Sequence, residues 1–417
     1  MTERPVRTLL FSTLYPSSAR PVHGIFVETR LRELLRSGRV QTRVVAPVPW
    51  FPSTHDRWGS YARIARTPAR ETRHGIEVLH PRYPLLPKVG MTLAPFGLAA
   101  ASIAPIRRLI DEGFDFDVID AHYYYPDGVA AAMLARHFGK PLTITARGTD
   151  LNLIPQHWAP RRLMQWAAGV ADASIGVCSA LVDVLRDWGV DESRLRVLRN
   201  GVDLQRFQPE PQAQARQALG LGLELGETAG PLLISVGHLV ERKGNHLIVQ
   251  AMPAIRRGHP QARLLIVGEG EERPALERLV AQLGLGDAVT LTGAVPNEQL
   301  ARWYSAADAL VLASSREGWA NVLLEAMACG TPVVATRIWG TPEVVTGPAA
   351  GVLVDERSAP ALAEGVQRLL AAPPDRAAVR RYAEGFGWGA TSQGQLELFS
   401  RLAGLALPEA QEGLRHA

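Results

Sequence analysis

The feature that most constrains this chain is a repeated alternation of short apolar runs with amphipathic helical stretches. The first strand is predicted from Arg7 to Leu14, and the helix after it places apolar residues at i, i+4, i+7 and i+8 from Val27 before ending at Gly38. Successive parallel strands need a crossover between them, usually a helix, so this alternation is typical of parallel sheets. The sequence therefore predicts an α/β fold.

The alternation starts a second time after a stretch rich in Gln, Gly and Pro, from Gln208 to Pro231, which is predicted to be a linker with a short helix. A chain of 417 residues is too long for one ordinary core and suits two domains. Its composition of 47% apolar and 21% charged residues is that of a globular protein. We therefore predict an amino-terminal domain at residues 1–205 and a carboxyl-terminal domain at residues 206–385.

Each half contains short predicted strands rich in β-branched residues. Further strands of the first half are predicted at Arg43 to Ala46, Asp117 to Ala121, Leu142 to Ala146, Ala173 to Val177 and Leu195 to Leu198, with helices at Gly128 to Phe138 and Ala180 to Trp188. Those of the second half are predicted at Leu232 to Val236, Leu264 to Val267, Val289 to Leu291, Ala309 to Leu312, Val333 to Ala335 and Gly351 to Val354. Asn297 is predicted to be the N-cap of a helix in the second half.

The net charge of +4 conceals a difference between the two halves of the chain. Residues 1–200 carry 26 basic and 18 acidic side chains, whereas the remainder carries 19 basic and 23 acidic ones. The basic first half, with clusters at Arg63 to Arg73 and Pro160 to Trp166, fits an anionic membrane surface or a charged acceptor. A scattered surplus of Arg is equally consistent with ordinary solvated surface.

Several classes of protein are disfavoured by the sequence. There is no run of 18 uncharged apolar residues, and the first residues lack the pattern of a signal peptide, so we expect a cytosolic protein. Cys178 and Cys329 lie in apolar stretches without nearby ligand patterns, which predicts buried thiols and no metal site. No nucleic-acid partner is expected. A dehydrogenase is disfavoured, because the nearest phosphate turn, at Gly268 and Gly270, has Arg273 in place of its third Gly.

The first candidate ligand-binding motif is SVGHLVERKGNHLIV. It leaves a predicted strand at Val236, turns at Gly237, presents Arg242 and Lys243 together, and enters a helix after Gly244. Two adjacent cations at a helix entry suit a diphosphate, because the free N–H groups and the dipole of the helix also favour an anion. The alternative is a pair of solvated charges at a helix start.

The second candidate motif is SSREGWANVLLEAMACGTPVVAT. Glu317 follows the strand that ends near Ala313, and Glu325 comes eight residues later inside a helix, a spacing of about two turns and ~12 Å of helical rise. Two carboxylates at that separation can bind the two polar ends of an extended ligand such as a nucleotide sugar. The alternative is a solvated helix face.

This second segment resembles the E-x7-E signature of family 4 retaining glycosyltransferases, through Glu317, Gly318, Glu325, Ala326 and the CGTP sequence that follows. The resemblance extends over nearly the whole chain, and it is greatest to glycosyltransferases of the teichuronic-acid type of polysaccharide biosynthesis. The other matching segments are the loop at Gly24, DVIDAH ending at His122, TARGTD from Thr145 to Asp150, RNGVDLQRF from Arg199 to Phe207, RKG at Arg242 and WGTPEVV at Trp339.

The resemblance implies a GT-B fold, in which two Rossmann-like domains face each other across a cleft and a terminal helix, here 386–405, packs back on the first domain. It implies transfer of a sugar, with retention of anomeric configuration, from a nucleotide diphosphate sugar to a glycan or lipid-linked acceptor. Such an enzyme would act in cell-surface polysaccharide biosynthesis, in the cytoplasm or at the inner face of the cell membrane. It would need neither a cofactor nor a metal.

The resemblance also assigns expected roles to residues. Arg242 and Lys243 would stabilise the leaving diphosphate, Glu317 would hold the donor sugar, and Glu325 would bind the ribose. The full set expected at the donor is His238, Arg242, Lys243, Glu317, Gly318, Asn321, Val322, Leu323 and Glu325, of which Lys243, Arg242 and Glu317 are expected to be catalytic. The set expected on the acceptor side is Gly24, His122, Arg147 and Asp150.

Four positions depart from the family pattern, and two of them, Ala320 and Trp339, differ from the Pro or Gly that is common in relatives. Arg147 stands where many relatives have His, and Arg cannot accept a proton, so a role as a base does not transfer. Arg147 is instead expected to contact a phosphate or carboxylate of the substrate, or to pair with Asp150. His238 stands where relatives often have Arg. The alternatives left open are another GT-B enzyme, such as a nucleotide-sugar epimerase or a glycogen-type synthase, and a protein that binds sugar nucleotides without catalysis.

Overall fold

The computed structural model describes residues 4–84, 90–221 and 230–406, which divide into two compact units. The first unit is formed by residues up to Arg199 together with those from Gly389 onward, and the second unit is Asn200–Trp388. Each unit has its own sheet, and in both sheets the strands are almost all parallel. The prediction of an α/β fold is confirmed.

The sheet of the first unit has the strand order β10-β9-β8-β7-β1-β2-β5-β4, and only the β4–β5 pair at one edge is antiparallel. A separate parallel pair joins β3 to β6. The strands are β1 (Val6–Phe11), β2 (Val40–Val45), β3 (Val48–Pro49), β4 (Arg70–Arg73), β5 (Ile76–Leu79), β6 (Arg82–Tyr83), β7 (Val118–His122), β8 (Leu142–Ala146), β9 (Ala173–Gly176) and β10 (Leu195–Val197). The helices between them are α1 (Ile25–Leu35), α2 (Ser60–Ala65), α3 (Gly90–Asp111), α4 (Val129–Phe138), α5 (Thr149–Asn152), α6 (Trp158–Val170) and α7 (Ser179–Asp187).

The second unit has a fully parallel sheet with the order β13-β12-β11-β14-β15-β16. Its strands are β11 (Leu232–Val236), β12 (Arg263–Val267), β13 (Val289–Gly293), β14 (Ala309–Leu312), β15 (Val333–Thr336) and β16 (Gly351–Val354). Its helices are α8 (Gln212–Ala218), α9 (Asn245–Gly258), α10 (Arg273–Gln282), α11 (Leu300–Ala306), α12 (Asn321–Ala328), α13 (Thr341–Val344), α14 (Ala359–Ala371) and α15 (Arg376–Glu384).

The last helix, α16 (Gly389–Leu402), belongs to the first unit. Its Leu396 and Phe399 are buried in a cluster that also contains Val6 and Leu34. The buried Arg30 of α1 donates from Nε to the side chain of Gln395 at 2.9 Å. Helix α16 is therefore fixed to the first unit by both apolar packing and a buried hydrogen bond.

Each sheet has one place where the chain changes the direction in which it adds strands. In the first unit this switch lies between β1 and β7, and in the second it lies between β11 and β14. Loops leave a parallel sheet in opposite directions at such a point, which opens a crevice at the carboxyl ends of the strands. The two switch points are therefore where ligand-binding residues are expected.

Most predicted strands are present, and those at Leu142–Ala146, Leu232–Val236, Ala309–Leu312 and Gly351–Val354 have the predicted bounds. Buried parallel strands are continuous apolar runs, which makes them visible in sequence. Helix α8 confirms the short helix in the predicted linker, of which residues 222–229 lie outside the described residues. Cys178 and Cys329 are buried, as predicted.

Two predictions about local structure need correction. The first strand ends at Phe11 and not at Leu14, because Ser12 begins a turn whose hydroxyl accepts the Leu14 N–H at 3.1 Å. Asn297 is not a helix N-cap: it opens a 3-10 turn that follows Pro296, whose carbonyl accepts the Gln299 N–H at 2.9 Å. Helix α11 begins only after that turn. The region from β3 to β6 was not predicted at all.

Among the described residues, one helical segment, Thr92–Asp111 of α3, is long and apolar enough by length and composition to cross a membrane. It contains Pro95 and Pro105, and 39% of its most apolar window is buried within the protein. Core helices of soluble proteins have the same length and composition.

Candidate active site

The turn that carries Arg242 and Lys243, which we call the cationic turn, lies at the switch point between β11 and β14 of the second unit. Gly244 caps α9 in a left-handed conformation, with φ of 70°. A Cβ at Gly244 would lie only 2.2 Å from the carbonyl oxygen of Ala313, so this position requires Gly. The Ser315 N–H donates to the carbonyl of Arg242 at 2.8 Å. These contacts hold the loop after β11 against the loop after β14.

This close approach brings the two predicted motifs together. The Lys243 ammonium lies 2.5 Å from Oε1 of Glu317, and the Arg242 guanidinium lies 3.7 Å from the same oxygen. Ser314 donates its hydroxyl to that oxygen at 2.7 Å. Two cations and one carboxylate therefore meet around a single point at the carboxyl ends of adjacent strands.

The electrostatics of this cluster keep Glu317 ionised. Burial by itself would raise the pKa of the Glu317 carboxyl, but the charge and hydrogen bond of Lys243, the charge of Arg242 and the hydroxyl of Ser314 outweigh it and lower that pKa. With one negative charge against two positive ones, the cluster retains a surplus of positive charge. Arg242, whose side chain is 31% exposed, is the most accessible of the three.

Glu325 lies on α12 and has a different environment. Tyr304 of α11 donates its hydroxyl to Oε2 of Glu325 at 2.8 Å. Burial raises the pKa of Glu325, and the hydrogen bond from Tyr304 and the charges of Arg206 and Lys243 only partly offset that effect. Glu325 is thus a partly buried carboxylate that already has one hydroxyl donor.

The remaining residues expected at the donor are spread along the same loops. His238 is exposed in the turn after β11, and Gly318 is buried beside Glu317. The N–H groups of Asn321 and Leu323 donate to the carbonyls of Trp319 and Ala320, and the Leu323 side chain is buried in the core. Val322 is partly buried on the first turn of α12.

The interval between Glu317 and Glu325 is not the helical spacing predicted from the sequence. Helix α12 begins at Asn321, so Glu317 lies in a loop and only the second part of the interval up to Glu325 is helical. The two residues are therefore not separated by two turns of one helix. The loop instead turns back towards Lys243, and this is what allows Glu317 to reach the cationic turn.

In the first unit, His122 lies at the end of β7, beside the switch point. Its Nε2 lies 3.0 Å from Oδ2 of Asp120, and its Nδ1 contacts the guanidinium of Arg147. Arg147 can only donate, so Nδ1 is the acceptor and Nε2 carries the proton that is donated to Asp120. A chain of hydrogen bonds thus begins inside the sheet at Asp120 and passes through His122 to Arg147.

Burial lowers the pKa of His122 to about 4, against the opposing effect of Asp120 and with further lowering by Arg147. Burial alone would raise the pKa of Asp120, but His122, Arg30 and Thr143 bring it below its usual value. At neutral pH the imidazole is therefore neutral and the carboxylate is ionised. Since His122 is 1% exposed, the outer member of this chain of hydrogen bonds is the partly buried Arg147, whose guanidinium also lies over the ring of Phe26 at 5.4 Å.

The other residues expected on the acceptor side shape the loops. The Asp150 carboxylate accepts the backbone N–H groups of Tyr124, Arg147 and Gly148 at 2.7 to 3.1 Å. Gly24 caps α1 with φ of 63°, and a Cβ there would lie 1.5 Å from the carbonyl oxygen of Leu14. The close approach that Gly24 permits is therefore to the loop after β1.

Sequence reasoning missed two notable groups. Asp127 is fully buried, and burial raises its pKa to about 8, although Thr13 donates a hydroxyl to it at 3.0 Å. Tyr304, the partner of Glu325, was not singled out either. Both partnerships join residues that are 21 or more positions apart, and no local pattern marks them.

Within the described ranges, no group of three or more His, Cys, Asp or Glu side chains is arranged to hold a metal ion.

Comparison with known proteins assigns a family to this arrangement. Residues 225–386 match the family model described as glycosyl transferases group 1, and residues 61–206 match that of glycosyltransferase family 4. A putative teichuronic acid biosynthesis glycosyltransferase, TuaC of Bacillus subtilis (strain 168), is 30% identical over 87% of this chain and 89% of its own length. The chain belongs to glycosyltransferase family 4. The family predicted from the sequence is confirmed, and so is its general activity as a glycosyltransferase.

Other relatives of this glycosyltransferase have different stated substrates. A D-inositol 3-phosphate glycosyltransferase of Frankia alni is 35% identical over 68% of this chain and 74% of its own length. Among solved structures, sucrose-phosphate synthase from Thermosynechococcus elongatus is similar with a TM-score of 0.77 and 24% identity, over 96% of this chain and 99% of that one. HepE of Anabaena in complex with UDP-glucose is similar with a TM-score of 0.67 and 20% identity, over 95% and 99%. These similarities confirm the GT-B fold.

Proposed function

We propose that this glycosyltransferase transfers a sugar from a nucleotide diphosphate sugar, with retention of anomeric configuration and without a metal, to a glycan or lipid-linked acceptor. We further propose that it acts in cell-surface polysaccharide biosynthesis, in the cytoplasm at the inner face of the membrane. The observation that carries the proposal is the meeting of Arg242, Lys243 and Glu317 at the switch point of the second unit.

On the donor side, Arg242 and Lys243 bind the diphosphate. Lys243 is paired with Glu317, so binding of the donor diphosphate to Lys243 exchanges one anionic partner for another. As the bond from the anomeric carbon to the phosphate oxygen breaks, that oxygen takes the electron pair, and the two cations stabilise the charge that develops. Because side chains supply this positive charge, the step needs no metal ion.

The other donor contacts follow from the positions of the loops. Glu317 binds hydroxyls of the donor sugar, next to the diphosphate that Lys243 holds. Glu325, with Tyr304 fixing one of its oxygens, binds the ribose through the other. His238, Gly318 and residues 321–323 line the loops that face the donor.

In the transfer step the acceptor hydroxyl forms its bond to the anomeric carbon on the face that the diphosphate leaves. Its proton passes to the departing phosphate oxygen, which is the group on that face able to accept it. No protein nucleophile is needed for this sequence, and configuration is retained because both bonds involve the same face.

On the acceptor side, His122 is a positioning residue and Arg147 is the group that contacts the acceptor. The neutral imidazole is held by Asp120 and fixes the guanidinium of Arg147 at its outer end. Gly24 and the backbone contacts of Asp150 hold the two loops that flank this position.

The names of the relatives support the nature of the substrates. HepE, whose fold is similar, has been solved with UDP-glucose, which supports a nucleotide sugar as donor. TuaC is described as acting in teichuronic acid biosynthesis, which supports a polysaccharide pathway.

The decisive experiment measures release of nucleoside diphosphate from a panel of UDP, GDP and ADP sugars by the wild type, Lys243→Ala and Glu317→Ala. We expect slow hydrolysis of one donor by the wild type and its loss in both variants. Absence of binding and turnover with every donor would contradict the proposal.

Retention and metal independence need their own measurements. Once the donor and an acceptor are known, NMR of the product reports the configuration at the anomeric carbon, and an inverted product would exclude the retaining mechanism. Activity should be unchanged after dialysis against EDTA, and recovery only on addition of a divalent ion would exclude metal independence.

A further inference from the structure

The first unit exposes several large aromatic side chains in one place, which we call the aromatic surface: Trp50, Phe51, Trp58 and Tyr61. Trp50, Trp58 and Tyr61 are 59%, 44% and 54% exposed. The ring of Phe51 lies 5.6 Å from that of Trp58 and 5.2 Å from that of Tyr61, so these rings form one cluster. Soluble proteins rarely expose contiguous apolar groups of this size without an interaction partner.

Helix α3 contacts β6, which pairs with β3, the strand that precedes Trp50. The Trp50 N–H donates to the carbonyl of Tyr83 at 2.8 Å, which joins the end of β3 to β6. On the side of α3, a Cβ at Gly97 would lie 3.8 Å from the Tyr83 ring. Leu93 and Phe96, on the adjacent turn of α3, are also exposed.

The charge around these rings is positive. Arg57 lies 5.1 Å from the centre of the Trp58 ring, and Arg63 is exposed on α2. Asp56, the acidic residue of this segment, is paired with Arg66. In the described part of the chain, neither Arg57 nor Arg63 forms an ion pair with a carboxylate. The surface therefore combines exposed aromatic rings with uncompensated positive charge.

We propose that the aromatic surface docks on an anionic lipid bilayer, with its rings at the level of the headgroups and with Arg57 and Arg63 against the lipid phosphates. Trp and Tyr are the side chains that favour this interfacial zone, and basic residues beside them are attracted to anionic lipid. A second copy of the chain is a poorer partner, because a two-fold contact would bring the same Arg side chains together.

This inference rests on the proposed function in one respect: a lipid-linked acceptor is reached at a membrane, and the aromatic surface is on the unit to which acceptor binding is assigned. His122 and Arg147 lie at the carboxyl ends of β7 and β8, whereas the residues of the aromatic surface belong to the segment that runs from β3 to α2. Loss of membrane binding should therefore leave hydrolysis of a soluble donor unchanged.

The test is flotation of the full-length protein with vesicles of equal parts phosphatidylglycerol and phosphatidylcholine, compared with vesicles of phosphatidylcholine alone. We expect the wild type to float with the anionic vesicles at low salt and much less with the neutral ones. The double variant Trp58→Ala/Tyr61→Ala should reduce the partition coefficient at least about tenfold, because it removes two interfacial rings. Arg57→Gln/Arg63→Gln should weaken binding and its dependence on salt.

The control is Leu283→Ala, which truncates an apolar side chain that is 39% exposed at the end of α10 in the second unit. This variant should bind vesicles like the wild type, and all variants should hydrolyse the donor at the wild-type rate. The proposal is overturned if the wild type does not float with anionic vesicles, or if Leu283→Ala lowers binding as much as the double variant. It is also overturned if the double variant abolishes self-association and leaves flotation unchanged. Failure of the proposed function would appear separately, as absence of donor turnover.

Discussion

The two units place charged clusters at equivalent points of their sheets, yet the clusters differ in accessibility. In the second unit, Lys243 and Arg242 are 14% and 31% exposed and retain a surplus of positive charge around Glu317. In the first unit, His122 is 1% exposed, and its imidazole is held neutral between Asp120 and Arg147. The same topology thus supports a cluster that can receive an anion and a cluster that fixes the position of one guanidinium.

This difference follows from the type of backbone segment that carries each polar group. Lys243 and Glu317 come from loops, so they can exchange partners when a ligand arrives. Asp120 and His122 lie two residues apart on one face of a buried strand, where rearrangement would leave a charge without a partner. We therefore expect substitutions in the second unit to change catalysis and those in the first to change stability as well.

The largest effect is expected for Lys243→Ala. Removing one cation from the leaving diphosphate should lower kcat/KM for the donor by two or more orders of magnitude, by analogy with oxyanion donors, which contribute about 2.7 to 4 kcal/mol. The free energy of unfolding should fall less than in His122→Ala, because Arg242 and the Ser314 hydroxyl still contact the Glu317 carboxylate. Steady-state kinetics and urea denaturation measure both quantities.

Arg256→Ala is the matched control for Lys243→Ala. Arg256 lies on α9, downstream of the cationic turn, and forms an exposed ion pair with Asp287 at 2.9 Å. Exposed pairs contribute little, so both kinetics and stability should remain close to the wild type. Equal activity of Lys243→Ala and Arg256→Ala would remove the assigned role of the cationic turn.

A smaller effect is expected for His122→Ala in the first unit. The ionised Asp120 loses its imidazole donor in a buried site, which should lower the free energy of unfolding by about 1.5 to 3 kcal/mol. Transfer to the acceptor should also fall, because Arg147 is no longer fixed, whereas hydrolysis of the donor should not. His137→Ala, at an exposed position of α4, is the control and should alter neither.

A fall in donor hydrolysis for His122→Ala as large as for Lys243→Ala would contradict the distinction between the two clusters. Unchanged stability would mean that Asp120 is compensated by other groups, such as Arg30, and unchanged transfer to the acceptor would remove the basis for calling His122 a positioning residue.

These two clusters show which parts of the fold and of the candidate site could be predicted from the sequence. The strands that carry them are buried apolar runs, so β7, β11 and β14 could be predicted, and the order of a parallel sheet places their ends together. The pair of Lys243 and Glu317 could not be predicted, because it depends on Gly244 approaching the carbonyl of Ala313 across two loops. The Asp120 and His122 pairing is visible as an i, i+2 relation, but the burial that keeps the imidazole neutral is not.

The region from β3 to β6 shows the opposite limit. The edge strand β4 is polar and short, and its partner β5 has only two buried positions, so neither produces a long apolar run. The exposed rings near β3 and α2 are, in sequence, indistinguishable from buried ones. The expected membrane contact was therefore inferred from charge alone, whereas the aromatic surface could be recognised only once the exposure of its side chains was known.

A third prediction concerns Asp127, which adds pH dependence to the first unit. Its pKa is about 8 in the folded protein and 3.8 in the reference state, so the folded state binds the proton more tightly. The contribution of Asp127 to the free energy of unfolding is therefore greatest below pH 3.8. It falls as the pH rises to 8, by up to about 1.4 kcal/mol per pH unit. Asp127→Asn should be more stable than the wild type, by a margin that grows over this range.

His122 has the opposite effect, because its pKa falls from 6.5 to about 4 on folding and stability from this group is lost as the pH drops through that interval. The contribution of His122 is the same in the wild type and in Asp127→Asn, so the difference between their unfolding curves isolates Asp127. A constant difference between pH 4 and 8 would show that the Asp127 carboxyl does not hold a proton in the folded state.

The smallest effect is expected for Tyr304→Phe. This variant tests whether Glu325 acts together with Arg242, Lys243 and Glu317, which we call the exchangeable cluster of the second unit. The variant removes the hydroxyl that donates to Glu325 at 2.8 Å and should cost about 0.5 to 1.5 kcal/mol of stability. Contacts to the ribose contribute equally to the ground and transition states, so KM for the donor should rise by less than about tenfold at unchanged kcat. Tyr382→Phe removes a comparable hydroxyl, which donates to the carbonyl of Val344 at 2.8 Å, and should lower stability without changing KM. If the two variants have the same KM, Tyr304 only stabilises the unit, and the exchangeable cluster is limited to Arg242, Lys243 and Glu317.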